Sequence, residues 1–229
     1  MSELIFPSSV AELYIRQGKL YPAVKPTDEV TSAHEAMAHA QADRVVDTHG
    51  MHLLKHLATV PKTILDIGCG LGLFALSMDR CIHDGKFYLV DGSKEPYQET
   101  FREDGSNLVT DMDITREFLI ANNLPQNRFI ILPPSAEAVA KLPPMDLIVS
   151  HDSWFYHYPP EIYWDAVRQV MHEDSYLNVS IRINPVHGHP EYYHWLAERF
   201  DSVQVISITG EGQRRRLTVL CHGPTAQLS

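Results

Sequence analysis

The segment Ile64-Leu65-Asp66-Ile67-Gly68-Cys69-Gly70-Leu71-Gly72 decides the fold. It joins a β-branched apolar run, which predicts a strand over Thr63 to Ile67, to a stretch that predicts a helix over residues 71–80. Glycines between a strand and a helix allow a tight turn, and they let a ligand approach backbone that carries no Cβ. The same residues suit a purely structural turn, so a ligand site needs support from other parts of the chain.

Two acidic residues give that support. Asp66 lies at the end of the first predicted strand, beside the turn, and Asp91 ends the next predicted strand at 87–91. A carboxylate at the second of these positions can accept hydrogen bonds from both hydroxyls of a ribose. Asp91 also suits a solvated strand end or a helix N-cap when it is considered alone. Together, the turn and the two acids predict a nucleoside-like ligand.

Short apolar runs alternate with helical stretches along most of the chain. The runs predict strands at 63–67, 87–91, 128–132, 146–150 and 176–183, and the intervening stretches predict helices at 71–80, 111–123, 135–141, 160–171 and 189–200. This alternation predicts an α/β protein with a doubly wound, mostly parallel sheet and helices on both faces. Two last runs, 203–209 and 217–221, leave no room for a crossover helix, so they predict an antiparallel hairpin that completes seven strands.

Residues 1–60 predict a helical extension that precedes the sheet. Ser9 and Glu12 suggest a short helix, and Pro22 and Pro26 then enforce a loop. A longer helix follows, with capping-box spacing at Ser32 and Glu35, an interruption near Gly50 and an end before Pro61. Its predicted apolar stripe consists of Ala36, Met37, Ala40, Val45, Met51, Leu54 and Leu57.

The composition is that of a globular protein with an acidic balance. A chain of 229 residues, 44% of them hydrophobic, suits one domain with an extension better than two full domains. The net charge of −10 makes nucleic acid an unfavourable partner. The apolar runs are shorter than the roughly 20 residues that span a bilayer. Three cysteines without metal-ligand spacing, and an N-terminus without a secretory pattern, predict a cytoplasmic protein.

The glycine spacing separates two classes of cofactor. In the dinucleotide fingerprint G-x-G-x-x-G the sixth position from Gly68 is Leu73, and the third glycine arrives one residue early at Gly72. Residues 65–72 instead resemble the first motif of class I S-adenosylmethionine-dependent methyltransferases, in which an acid precedes G-x-G-x-G. The resemblance covers about residues 60–221 and includes Val90-Asp91-Gly92-Ser93, Pro144 to Ser150 and the final hairpin. It implies a catalytic domain over residues 61–229, with residues 1–60 as a helical cap.

The resemblance also implies S-adenosylmethionine as cofactor and assigns residues to it. Asp66 and the glycine backbone would contact the methionine part, Asp91 the ribose, and Gly92 and Ser93 the adenine. The family often has an Asp near the adenine amino group, whereas this chain has Pro134-Ser135-Ala136-Glu137, where Ala136 and Glu137 are the possible substitutes. The predicted cofactor-binding residues are Asp66, Gly68, Cys69, Gly70, Asp91, Gly92, Ser93, Ala136, Glu137 and His151.

The predicted loop after the fourth strand, His151 to Tyr158, lies on the ligand side of such a sheet. Methyl transfer places the acceptor about 3 to 3.5 Å from the methyl carbon, and a hydroxyl acceptor also needs a base. His151 and His157 can accept a proton near neutral pH, and Asp152 could orient a ring or act itself. These three are the predicted catalytic residues for transfer to a small-molecule acceptor, with a hydroxyl oxygen favoured. Four aromatic residues suit a pocket wall or core packing: Trp154, Phe155, Tyr156 and Tyr158.

Other functions stay open. An NAD(P)-dependent reductase and a non-catalytic S-adenosylmethionine-binding module are the alternatives. A nucleic-acid methyltransferase is disfavoured because Ser150-His151-Asp152-Ser153 is not the Asp/Asn-Pro-Pro-aromatic tetrad used on exocyclic amines.

No metal is predicted. His34-Glu35 and His39 miss H-E-x-x-H by one residue, and the H-x-H pair His187 and His189 lacks identifiable partners. Arg214 to Arg216 suit a surface patch that favours solubility. The methyl acceptor and the oligomeric state, a homo-oligomer included, are left open.

Overall fold

The computed structural model describes residues 4–7, 31–91, 112–183, 188–211 and 215–225. The regular elements begin with α1 (Ser32–Leu54), β1 (Thr63–Ile67), α2 (Leu73–Asp79), β2 (Lys86–Val90), α3 (Met112–Ala121), β3 (Phe129–Leu132) and α4 (Ala136–Ala140). They continue with β4 (Met145–Ser150), β5 (Ser153–Tyr158), α5 (Trp164–Val170), β6 (Met171–Arg182), α6 (Glu191–Ala197), β7 (Phe200–Thr209) and β8 (Arg216–Pro224). Short 3-10 helices occupy Gln126–Arg128 and Pro160–Ile162. The predicted short helix after Ser9 and the loop at Pro22 and Pro26 lie outside the described residues.

Seven of the strands form one mixed sheet in the order β3-β2-β1-β4-β6-β8-β7. β1 pairs in parallel with β2 and β4, and β4 pairs in parallel with β6. β8 runs antiparallel to both of its neighbours, β6 and β7. The predictions of an α/β class, a seven-stranded sheet and a closing antiparallel hairpin are therefore confirmed.

Several element boundaries differ from the prediction. The segment after β4, predicted as a loop, contains the extra strand β5. β6 begins at Met171, where its backbone pairing with Met145 starts, although polar side chains follow. The helix predicted over 160–171 is therefore shorter: this segment contains the 3-10 helix Pro160–Ile162 and α5. β7 and β8 are also longer than predicted, and β7 carries exposed residues because it is an edge strand with an open face.

The chain divides into two compact units. The first comprises Met1–Val60, Cys69–Gly85 and Asp91–Ile131, and the second comprises Pro61–Gly68, Lys86–Val90 and Leu132–Ser229. The N-terminal segment is thus grouped with α2, α3 and the part of the glycine-rich turn that begins at Cys69.

In the first unit, α1 packs through small residues. Its buried side is formed by Ala38, Ala42, Val46, Gly50 and Leu53. The predicted stripe was wrong: Met37 is 39% exposed and Met51 is 50% exposed. Small side chains let two helices approach closely, whereas the predicted stripe lay on a different face, which includes the exposed Met37 and Met51.

The start of α1 also differs from the prediction by one residue. Thr31 is the N-cap: its Oγ1 accepts a hydrogen bond from the His34 N–H at 3.4 Å. In return, His34 Nδ1 accepts a hydrogen bond from the Thr31 N–H at 3.3 Å. The capping pair is therefore Thr31 and His34, and not the predicted Ser32 and Glu35. The helix runs without interruption through Gly50.

We expect Gly50→Ala to destabilise the protein. A Cβ on Gly50 would lie 2.6 Å from the Ser77 carbonyl oxygen and 2.9 Å from the Met78 nitrogen, both backbone atoms of α2. Alanine gains about 1 kcal/mol of helix propensity, whereas overpacking against backbone atoms should cost about 3 kcal/mol, the upper end of the usual range, so we expect a net loss of about 2 kcal/mol in urea unfolding. On the exposed side, Ala36→Gly should cost about 1 kcal/mol through propensity alone. A Gly50→Ala protein as stable as the parent would contradict the close packing.

In the second unit, β6 separates an apolar face from a polar one. Leu177, Val179 and Ile181 are fully buried in a core that also contains Trp154 and Phe155. The indole Nε1–H of Trp154 donates to the Pro160 carbonyl at 3.0 Å. Of the two roles open to the aromatic residues after β4, Trp154 and Phe155 therefore take core packing.

Candidate functional site

The glycine-rich turn has left-handed backbone at three positions, with φ of 78° at Gly68, 55° at Gly70 and 75° at Gly72. Residues with a Cβ avoid this region, which explains the glycines. A Cβ on Gly68 would overlap the Ser153 side chain, and one on Gly72 would lie 2.9 Å from Leu119 Cδ2. Packing within the protein thus accounts for the lack of a side chain at Gly68 and Gly72.

In the first unit, Gly70 is held on both sides of its backbone. Its N–H donates to Asp91 Oδ2 at 2.6 Å, and its carbonyl accepts from Thr115 Oγ1 at 2.8 Å. Cys69 is partly buried beside it. Three predicted cofactor-binding residues, Cys69, Gly70 and Asp91, are therefore neighbours. The sequence did not single out Thr115, a mid-helix residue of α3 that belongs to no motif.

In the second unit, Asp66 and Gly68 lie at the end of β1. Asp66 is buried, with 4% of its surface exposed. The Gly68 N–H donates to the Val90 carbonyl at 2.7 Å, which extends the pairing of β1 with β2 by one residue. The acid predicted to contact the methionine part is thus a buried residue of β1, one position before the end of the strand.

Ser150 links the ends of β1 and β4. Its hydroxyl donates to the Ile67 carbonyl at 2.6 Å and accepts from the Trp154 N–H at 2.9 Å. The side chain is fully buried. This serine therefore ties the residue before the turn to the start of β5.

His151 follows β4 and has a defined tautomer. Its Nε2 lies 2.7 Å from Asn178 Oδ1. The amide nitrogen of Asn178 donates to the Val219 carbonyl at 2.9 Å, and this contact identifies the atom that faces His151 as the amide oxygen. An oxygen can only accept, so Nε2 carries the proton. Nδ1 is then the basic nitrogen of the neutral ring.

Burial lowers the pKa of His151 below its ordinary value. The hydrogen bond to Asn178 and the carboxylate of Asp152 oppose this shift, and the charge of Arg216 adds to it. The net effect favours the neutral imidazole at neutral pH, which is the form that can accept a proton.

Asp152 is paired with Arg216. Both carboxylate oxygens accept hydrogen bonds from Arg216 Nη1 at 2.5 Å. Asp152 has φ of 60° and Phe155 has φ of 65°, values that are uncommon outside glycine. The ion pair and the burial of Phe155 hold this backbone in place. Arg216, predicted as part of a surface patch, is instead partly buried in this pair.

The remaining predicted residues lie in several places. Ala136 and Glu137 begin α4, where Ser135 Oγ accepts from the Ala138 N–H at 3.1 Å. Glu137 is exposed and pairs with Lys141 at 2.5 Å. His157 belongs to β5. Gly92, Ser93, His187 and Arg214 lie outside the described residues.

The described part of the chain offers no cluster of three or more His, Cys, Asp or Glu side chains suited to a metal ion. His189 is hydrogen-bonded to Glu191 at 3.0 Å. None of the helices within the described ranges has the length and apolar character needed to cross a membrane.

Asn178, Ser180 and Arg182 had a signal in the sequence that the prediction did not use. They alternate with the apolar residues of β6, and a period of two places them on one face of the strand. Polar side chains on the buried part of a strand mark a face with a special role. Their partners on other elements, in contrast, had no local signal.

No protein-family model matches the sequence, and no curated protein sequence matches it significantly. Solved structures do match the fold. Magnesium protoporphyrin IX methyltransferase of Synechocystis, solved with bound S-adenosylmethionine, has a TM-score of 0.55 and 13% identity over 97% of this chain and 100% of that one. Precorrin-6y C5,15-methyltransferase of Geobacter metallireducens has a TM-score of 0.52 and 11% identity over 81% of this chain and 88% of that one.

A proposed O-methyltransferase of Nostoc punctiforme has a TM-score of 0.57 and 12% identity over 82% of this chain. The chain spans 58% of the length of that structure. In this chain, β8 is inserted between β6 and β7.

The chain has the class I methyltransferase fold. A dinucleotide-binding sheet has the order 3-2-1-4-5-6, without such an inserted antiparallel strand. In this chain the glycine-rich turn follows β1, and Asp91 follows β2.

Proposed function

We propose that the protein is an S-adenosylmethionine-dependent methyltransferase that transfers the methyl group to a hydroxyl oxygen of a small molecule. The contact between the Gly70 N–H and the Asp91 carboxylate carries this proposal. It joins the glycine-rich turn to the acid after the second strand, the two features that the resemblance assigns to the methyl donor. The methyl donor bound in the Synechocystis neighbour supports the same cofactor.

The residues of the turn fit this donor. Bound S-adenosylmethionine supplies a methyl group on a positively charged sulfur. Asp66, Gly68, Cys69 and Gly70 would bind the methionine part, and Asp91 would accept hydrogen bonds from the ribose hydroxyls. Gly70 suits this role because Asp91 and Thr115 hold its backbone in one conformation. The adenine would contact Gly92, Ser93, Ala136 and Glu137.

His151 is the proposed base. Its Nδ1 would take the proton from the acceptor hydroxyl as the new bond to carbon forms. Asn178 keeps the proton on Nε2, so the ring presents Nδ1 as its acceptor atom. The Asp152 carboxylate would stabilise the ring once it is charged. His157 is the second candidate for this role.

The N-terminal segment is proposed to cap the donor. α1 packs on α2, the helix that directly follows the glycine-rich turn, through Gly50 and Ser77. A displacement of α1 would therefore also displace α2, the helix that follows the glycine-rich turn. We also propose that the protein acts in the cytoplasm, as its cysteine usage predicts.

Isothermal calorimetry with S-adenosylhomocysteine and with NADH tests the proposal. We expect S-adenosylhomocysteine to bind with one-to-one stoichiometry and NADH to give no measurable heat. Binding of NADH alone would favour the reductase. If S-adenosylhomocysteine binds but no hydroxyl compound in a broad screen is methylated, the assignment to a hydroxyl acceptor is contradicted, and a non-catalytic binding module is favoured. Binding of neither ligand would refute the proposal.

A further inference from the structure

Arg182 is the last residue of β6, and few groups of the protein interact with its guanidinium. Its Cζ lies 4.2 Å above the centre of the Tyr156 ring. Its Nε is buried and has no hydrogen-bond partner among the residues that the structure describes. Among the described residues, the guanidinium makes no hydrogen bond or ion pair with a side chain or a carbonyl group. A buried donor without an acceptor is costly, so an acceptor from a ligand would stabilise this arrangement.

Arg199 provides a comparison within the same unit. It also lies over an aromatic ring, with Cζ 3.9 Å from the centre of Trp195, and its buried Nε also has no partner within the described ranges. Its Nη1, however, donates to the Trp195 carbonyl at 2.9 Å and to Glu198 at 3.2 Å. The charge of Arg199 is therefore paired within the protein, and the charge of Arg182 is not paired within the described residues.

Arg216, the neighbour of Arg182 on β8, already forms an ion pair within the protein. Arg182 is the register partner of Arg216 across β6 and β8, and Arg216 is paired with Asp152. Of these three charged groups, two cancel and one positive charge is left. The chain as a whole has a net charge of −10, so an unpaired positive charge is a local exception to its acidic balance.

The geometry favours a carboxylate ligand. The guanidinium carbon lies over the Tyr156 ring, and the N–H donors of a guanidinium lie in its own plane. A planar guanidinium presents a fork of donors that matches the two oxygens of a carboxylate. A phosphate group usually meets several positive charges, and only one is uncompensated among these residues.

Arg182 lies on the same face of β6 as Asn178, which is hydrogen-bonded to the proposed base His151. Asn178 and Arg182 are four residues apart, so their side chains point to the same side, about 13 Å apart along the strand. Asn178 holds His151.

We infer that Arg182 binds a carboxylate group of the methyl acceptor, at a position remote from the hydroxyl that is methylated. That the ligand is the acceptor rests on the proposed function, whereas the anion site itself does not.

The test observes the Arg182 Nε–H directly by nitrogen-edited NMR. Its signal is assigned by its loss in Arg182→Met. Benzoate should shift it saturably at millimolar concentration, and benzamide, which has the same ring without the charge, should bind at least tenfold more weakly. Arg182→Met should lose the saturable benzoate binding, and Arg199→Met, the matched control, should keep it. Equal shifts with benzoate and benzamide, or no shift with benzoate, would overturn the inference.

Two further measurements keep the outcome clear. If Arg182→Met fails to fold, Arg182→Lys replaces it, and we expect at least fivefold weaker benzoate binding because the fork is lost. Inorganic phosphate that binds more tightly than benzoate would overturn the assignment to a carboxylate. Calorimetry with S-adenosylhomocysteine on the same samples separates the two proposals. If benzoate binds and S-adenosylhomocysteine does not, the anion site is supported and the proposed function is refuted. If S-adenosylhomocysteine binds and benzoate does not, only the anion site is refuted.

Discussion

Asp91→Ala is expected to weaken the binding of S-adenosylhomocysteine by at least about 100-fold, because hydrogen bonds to a charged group contribute about 1.5–3 kcal/mol each. The substitution removes the proposed ribose acceptor and also leaves the Gly70 N–H without its carboxylate partner, now 2.6 Å away. Isothermal calorimetry measures the loss. Circular dichroism on the same sample shows whether the fold is retained.

Two variants serve as controls for Asp91. Asp91→Asn keeps the size and an oxygen acceptor but removes the charge, so its affinity should lie between those of the parent and Asp91→Ala. Asp113→Ala removes an acid of the same unit whose side chain is 93% exposed, and it should leave the affinity unchanged. An Asp91→Ala protein that binds S-adenosylhomocysteine as well as the parent would show that the donor site lies elsewhere.

His151→Ala is expected to slow methyl transfer by a factor of about 10² to 10⁴, the usual contribution of a general base. The affinity for S-adenosylhomocysteine should remain close to that of the parent. Turnover is followed as S-adenosylhomocysteine release with an acceptor found in the hydroxyl screen. His157→Ala tests the second candidate, and His194→Ala, an exposed histidine of α6, is the control.

The pH profile adds a readout that a structural role would not move. Burial lowers the pKa of His151, and the neutral ring is the active form. The rate should therefore fall as the pH drops through a value below the ordinary histidine pKa of about 6.5, and it should be level at neutral pH. Asn178→Asp places a carboxylate beside Nε2, which stabilises the charged ring and should move the acid limb to higher pH. Normal turnover in both His151→Ala and His157→Ala would rule out a histidine base.

The sequence alone determined the features that depend on neighbouring residues in the chain. The turn after β1 was predictable because glycine is the residue that adopts left-handed backbone without strain. β1 was predicted with its observed bounds because a short apolar run with both faces covered is distinctive. The final hairpin followed from a connection that is too short for a crossover. The buried side of α1 was missed, because the packing partner decides which face of a helix is buried.

The tertiary structure decided the order of the strands and the partners of the polar side chains. β8 lies between β6 and β7, a placement that no local pattern specifies. Thr115 reaches Gly70 across 45 residues, Asn178 reaches His151 across 27, and Arg216 reaches Asp152 across 64. A side chain's own periodicity shows which face of its element it occupies. The residue it meets depends on which elements pair, and that is settled by the burial and hydrogen bonding of the whole chain.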